Sequence, residues 1–193
     1  MECHREEIET GGMVVLLEDE CHLLWGDCCG YVWGKCGEAI EVLIRNDRER
    51  QSYYGAVNLV SREFHLKDFS GGNGENTVTY LRWLMDLYRG KKLLLLWDGA
   101  TYHRDIQCQE FLAQVNQGLE EKDWIVTCLR FAPNAPDQNP VEDIWLAGKN
   151  YVRKKFSENK TFAAVKKSFS GFLQGFLLDS VKFDWYAPST QTI

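Results

Sequence analysis

After Gly11-Gly12 the run Met13-Val14-Val15-Leu16-Leu17 is unbroken and apolar, and it stops at Glu18-Asp19-Glu20. A run this short suits a strand buried on both faces, with carboxylates at its end. Strand-like pieces follow at Tyr31–Trp33, Glu38–Ile44, Ser52–Val60 and Glu63–Phe69, divided by Gly, Asn and Asp signals, so this half reads as an antiparallel meander. The stretch from Ser70 to Gly74 reads as a loop. Thr77–Tyr88 places Val78, Leu81, Leu84, Met85 and Tyr88 on one helical face. Leu93–Trp97 is again too short and apolar for a globular helix and predicts a central strand. A polar-faced helix over Arg104–Lys122, a strand over Trp124–Phe131 and a long helix from near Pro140 complete the alternation. Phe162, Val165, Phe169, Phe172, Phe176 and Leu177 mark one more amphipathic helix. A meander followed by alternating helices and strands predicts an α/β domain with a mixed sheet and helices on both faces. Several mixed-sheet folds satisfy this order.

The length of 193 residues, 45% hydrophobic, supports one core, so residues 1–193 are expected to form a single domain with 1–12 as a flexible lead-in. No stretch reaches the ~18 apolar residues of a membrane helix, and the opening residues lack the apolar core of a signal peptide. A soluble, cytoplasmic protein with no membrane partner is the expectation. The seven cysteines are an odd number without framework spacing, and Cys21, His22, Cys28, Cys29 and Cys36 lack the paired spacing of a zinc site, so reduced thiols are expected. The net charge of −6 excludes nucleic-acid binding over the whole surface and leaves only a local basic face. One such face is available between Lys149 and Lys167, where Arg153, Lys154, Lys155, Lys160 and Lys166 also lie. A plain solvated helix face is its rival reading.

Three acidic positions stand where the chain changes element: Asp19 at a strand end, Asp98 after a buried strand and Glu142 in the first turn of a helix. Such places converge at one edge of a sheet, and carboxylate oxygens are the ligands that hard cations such as Mg2+ take. Each has a structural alternative. Asp98-Gly99 also fits a turn. Asn139-Pro140-Val141-Glu142 fits a capping box with Asn139 at the N-cap. Alternation sets Asp19 on the opposite face from Glu18 and Glu20, so only one of the two faces can be catalytic.

The wording around these carboxylates resembles the DDE transposases of the Tc/mariner-like group, in particular their bacterial insertion-sequence relatives. Leu93-Leu-Leu-Leu-Trp-Asp98-Gly-Ala-Thr-Tyr-His103 looks like the family's second-aspartate motif. Ala132-Pro-Asn-Ala-Pro-Asp-Gln-Asn139-Pro-Val-Glu142-Asp-Ile-Trp145 looks like its third motif, and Leu16-Leu17-Glu18-Asp19-Glu20 like its first. The resemblance implies an RNase H-like fold with a five-stranded sheet, metal ligands at Asp19, Asp98 and Glu142, and a positioning role for His103, since imidazole does not suit oxygen-preferring ions. Two departures stand out. Position 138 is polar Gln, and 43 residues separate Asp98 from Glu142, an excess expected between Gln114 and Asp123. Should that insertion displace Glu142, Asp143 is the fallback, about 100° away around the helix.

The resemblance further implies a DNA transposase catalytic domain that cleaves DNA and transfers strands with two Mg2+ ions, for which Mn2+ would substitute. Its partners would be element-end and target DNA and a second copy of itself as a homodimer. The alternative is an inactive or truncated remnant that only binds DNA or dimerises. The N-terminal DNA-reading domain usual in the family is not in this sequence. Lys149 and Arg153 lie within about 20° of the direction of Glu142 around a helix and, with Lys154, are the expected phosphate contacts. Asn139 is expected to support the site.

Overall fold

The computed structural model describes residues 4–28, 34–38, 48–132, 138–179 and 183. Its centre is a five-stranded sheet in the order β3-β2-β1-β4-β5. The strands are β1 (Met13–Leu24), β2 (Arg50–Asn58), β3 (Phe64–Phe69), β4 (Lys92–Trp97) and β5 (Val126–Arg130). The first three pair antiparallel, while β4 pairs parallel with β1 and with β5. Five helices surround the sheet: α1 (Arg5–Glu9), α2 (Gly74–Leu87), α3 (Ile106–Val115), α4 (Val141–Lys154) and α5 (Phe162–Leu173). The expected mixed sheet with helices on both faces is met, and it is the RNase H-like arrangement.

Strand parity sorts the core into two layers. Odd-numbered Leu17, Cys21 and Leu23 of β1 face Val141, Ile144 and Trp145 of α4 and Phe169 of α5. Even-numbered Val14 and Leu16 face Tyr80, Leu81 and Leu84 of α2 and Phe111 of α3. Successive side chains of a strand point to opposite faces, so β1 supplies both layers at once and its apolar run is continuous rather than alternating.

Several elements differ in extent from the sequence reading, each for a local reason. The strand expected to end at Glu18–Glu20 runs on to Leu24, because pairing with β2 continues to Leu24↔Arg50 after pairing with β4 stops at Leu17↔Leu96. Helix α2 begins at Gly74, where the Asn73 side chain accepts from Asn76 N at 2.8 Å and caps the helix. The helix expected over Arg104–Lys122 is broken into a 3-10 turn at Thr101–Arg104, α3 and a second 3-10 turn at Glu121–Asp123. Asp105 caps α3 by accepting from Gln107 N at 2.9 Å. After α3, Asn116 turns its side chain to β5, donating to Val126 O at 2.8 Å and accepting from Ile125 N at 2.8 Å. Residues 1–12, expected as a flexible lead-in, hold α1, whose Glu7 meets Lys92 at 2.6 Å. The strands expected at Tyr31–Trp33 and across most of Glu38–Ile44 lie outside the described residues.

Candidate active site

Asp19 sits in the interior of β1, not at its end, at the point where one neighbour strand has stopped and the other continues. Leu17 pairs with Leu96, so the register continued by two residues sets Asp98 beside Asp19. Adjacent strands lie about 4.8 Å apart, which brings two carboxylates to the same sheet edge without any special loop. Asp98 is exposed just past β4, and its Oδ1 accepts from Ala100 N at 2.8 Å. It therefore does make the small turn its sequence suggested, while keeping a second oxygen.

Glu142 arrives from the other direction, in the first turn of α4 and exposed. Two contacts fix that helix start against β1. Asn139 donates from Nδ2 to Glu18 O at 3.2 Å and accepts at Oδ1 from Val141 N at 3.1 Å. Trp145, one turn further on, donates from Nε1 to Asp19 Oδ2 at 3.0 Å. The Trp145 ring needs room over β2, and Gly55, paired with Asp19, supplies it: a Cβ there would lie 2.6 Å from Trp145 Cη2 and would also strike the Phe64 ring.

The electrostatics record this crowding. Burial, then the charges of Glu142, Glu20 and Asp98, push the Asp19 carboxyl up to about 8. Glu142 is thus close enough for Asp19 to feel it. Asp98 is shifted the other way, held below the ordinary carboxylate range chiefly by its hydrogen bond with His103. Burial alone would lower the His103 imidazole, but its bonds to Asp98 and Glu20 outweigh that and raise it to about 9.

His103 is buried in the 3-10 turn after β4, stacked on Trp97 at 4.1 Å between ring centroids. Its Nδ1 lies 3.3 Å from Asp98 Oδ1, and its Nε2 lies 3.1 Å from Glu20 Oε1 and 3.7 Å from Glu18 Oε2. Glu18 and Glu20 thus occupy the α2/α3 side of β1 and Asp19 the α4 side, as alternation requires. Lys149 and Arg153 are partly buried on α4, Lys154 is exposed, and Arg153 Nη1 donates to Asn150 Oδ1 at 3.1 Å. The insertion between Gln114 and Asp123 lies at the opposite end of the sheet, where Lys92 Nζ meets Lys122 O at 3.0 Å, so it leaves the carboxylate edge undisturbed. Gln138 is partly buried, just before Asn139.

A family model for DDE superfamily endonucleases matches residues 14–163, a span that takes in all three carboxylates. The chain belongs to that family. Comparison with curated proteins gave no match. Among solved structures, a chain of the simian T-cell lymphotropic virus intasome in complex with PP2A regulatory subunit B56 gamma superposes at TM-score 0.56 and 10% identity, over 93% of this chain and 56% of that one. The Mos1 transposase paired-end complex with left transposon end gives 0.51 at 13% identity, over 96% and 54%. The Mos1 mariner paired-end complex with Mn gives 0.51 at 14% identity, over 89% and 57%. This DDE endonuclease domain spans a little over half the length of those chains, and at such identities the likeness is one of fold.

Sequence reasoning missed Trp145, Gly55 and Glu20 as parts of the site. Each left a signal: a tryptophan closing the third motif, a glycine inside a strand, which marks a close approach, and a second acidic residue beside Asp19.

Proposed function

We propose that this chain is the catalytic domain of a DNA transposase, nicking element ends and joining the freed 3′-hydroxyl to target DNA. The observation that carries the reading is Asp19, a carboxyl on the strand beside Asp98 in a family of endonucleases, raised first by burial and then by the charges of Glu142, Glu20 and Asp98. Such an excess of negative charge at an all-oxygen donor set fits divalent cations that prefer oxygen, Mg2+ first and Mn2+ as its substitute. Asp19, Asp98 and Glu142 would hold two such ions. When bound, they supply Lewis acidity to both the attacking and the leaving oxygen of the phosphoryl transfer.

The chain's own residues then have distinct tasks. Trp145 holds one oxygen of Asp19 by its N–H. His103 and the Ala100 amide fix Asp98. Asn139 and Trp145 set where α4 begins and therefore where Glu142 points. Lys149, Arg153 and Lys154 lie further along the same helix, where they would contact phosphates of the bound duplex without reading its bases. A second copy of the chain would carry the other element end.

The test is a nicking assay with Mg2+ or Mn2+ on duplex DNA carrying the inverted repeats that flank the gene. Cleavage by the native chain, lost in Asp19→Asn, Asp98→Asn and Glu142→Gln with the fold retained, is the expected result. Undiminished cleavage by any of the three variants would remove that residue from the site.

A further inference from the structure

The opposite side of β1 holds a second group of ionisable side chains, Glu18, Glu20 and His103, of which the cleavage reaction uses His103 to fix Asp98. Oxygens of Glu18 and Glu20 and a ring nitrogen of His103 all lie within 4.8 Å of one another. Glu18 is the informative member. It is 1% exposed, and neither carboxylate oxygen has a hydrogen-bond partner. A buried polar group left unpaired is costly, and a buried unpaired carboxylate far more so.

The histidine narrows what could offset that cost. Its Nδ1 is 3.3 Å from both Asp98 O and Asp98 Oδ1, which only accept, so Nδ1 carries the ring proton. In the neutral ring Nε2 then presents a lone pair to Glu20 Oε1 at 3.1 Å and Glu18 Oε2 at 3.7 Å. A lone pair facing two carboxylates is repulsive, so in the metal-free chain a proton on Nε2 bridges them, and a divalent cation can take that proton's place. The two separations from His103 are close to the ~3.3 Å edge of a tetrahedron whose centre is about 2.0–2.1 Å from each ligand atom.

We propose that Glu18, Glu20 and His103 bind a Zn2+ ion on the α2/α3 side of the sheet, separate from the carboxylate edge of Asp19, Asp98 and Glu142. One nitrogen and two carboxylate oxygens are a zinc donor set rather than a magnesium one. Two carboxylates and a neutral imidazole leave the buried site uncharged once Zn2+ is present. The remaining ring N–H of His103 already points at a carboxylate, Asp98, the partner that zinc-bound histidines usually have. The ion would therefore lock β1 to the turn after β4 and fix the orientation of Asp98 from behind. This site is inferred from geometry alone and does not depend on the transposase reading.

The experiment is zinc binding by the whole chain and by its Glu142→Gln and Glu18→Gln variants, with X-ray absorption at the zinc edge. The native chain and Glu142→Gln are expected to retain one zinc through dialysis, with imidazole scattering in the spectrum, and Glu18→Gln to bind on the order of a hundredfold more weakly. The imidazole signal in the native chain decides the matter even if Glu18→Gln does not fold. An oxygen-only shell, or loss of zinc in Glu142→Gln with retention in Glu18→Gln, would transfer the ion to the carboxylate edge and overturn the proposal. No retained zinc at all would overturn it too, leaving Glu18 as a neutral buried acid. Cleavage is not the readout, so failure here is distinct from failure of the proposed function.

Discussion

Three consecutive residues of β1 face two different worlds. On the α4 side, Asp19 opens toward an edge where Asp98 and Glu142 are exposed and a ligand can reach them. On the α2/α3 side, Glu18 and Glu20 are closed in by His103, which is itself buried and stacked on Trp97. A carboxylate at nearly the same height on one strand is thus reachable on one face and sealed on the other. What differs is what covers the sheet. Helix α4 is held at its start by Asn139 and Trp145, and its first turn leaves Glu142 exposed. The 3-10 turn of Thr101–Arg104 folds back over the other face and fills it.

If the open face carries the chemistry, the largest effect comes from neutralising it. Asp19→Asn should lower metal-dependent cleavage by at least about a hundredfold, the scale of losing several kcal/mol of charge stabilisation. The same change should raise the thermal stability of the metal-free chain, by on the order of 1–2 kcal/mol at pH 8, because it removes a buried charge set among like charges. Calorimetry beside the cleavage assay checks both. A loss of stability along with a loss of activity would make Asp19 a structural residue.

The packing that holds Trp145 beside Asp19 can be disturbed. Gly55→Ala puts a methyl group against the Trp145 and Phe64 rings and should cost about 1–3 kcal/mol, as overpacked cores do. Because Trp145 must shift, cleavage should fall as well, which distinguishes this site from Gly148, where a Cβ would meet Phe169 at 2.7 Å and Leu173 at 2.8 Å between α4 and α5 and reaches Trp145 only through the Phe169 ring stacked on it. Gly148→Ala should cost a similar amount of stability and much less activity.

Acidity gives a third handle. Both Asp19, raised to about 8, and His103, raised to about 9, bind protons more tightly in the fold than in the unfolded chain. The native state then holds more protons between pH ~4 and ~9, and ∂ΔG/∂pH is negative wherever that is so. The metal-free chain should be most stable toward the acidic end of this window for these groups and lose that contribution as pH rises through about 8 and then 9. Divalent cations should flatten the fall, and their apparent affinity should rise with pH up to about 8 as the Asp19 proton leaves. Unfolding midpoints across pH 5–9, with and without Mg2+, would expose a flat metal-free profile if the two shifts are absent.

Much of this was legible from residues alone. Two of the three mutually parallel strands, β1 and β4, announced themselves as apolar runs, because strands buried on both faces cannot alternate, and the positions of Asp98 and Glu142 at element ends followed from them. Alternation also placed Glu18 and Glu20 opposite Asp19. Pairing was not legible: nothing in Glu18-Asp19-Glu20 says that β2 continues alongside to Leu24 while β4 stops, and that asymmetry is what opens the site. The break of the expected helix after Val115 was hidden because Asn116 acts through β5, a partner ten residues on. The role of Trp145 was equally hidden, since an N–H reaching 126 residues back to Asp19 leaves no local pattern.

The smallest effects are expected from the basic face of α4, and they test whether the open side of β1 meets DNA at all. Lys149 and Arg153 follow Glu142 along nearly the same line of the helix, so a duplex whose scissile phosphate lies at the carboxylates would run past them. Contacts of that kind release counterions and read no bases. Lys149→Glu with Arg153→Glu should therefore weaken binding about equally for element-end and random duplexes, and reduce the slope of log K against log salt by about 2. Fluorescence anisotropy at several salt concentrations measures both quantities. A loss confined to element-end DNA would mean that α4 reads sequence, and an unchanged salt slope would move the DNA path off this face and away from Glu142.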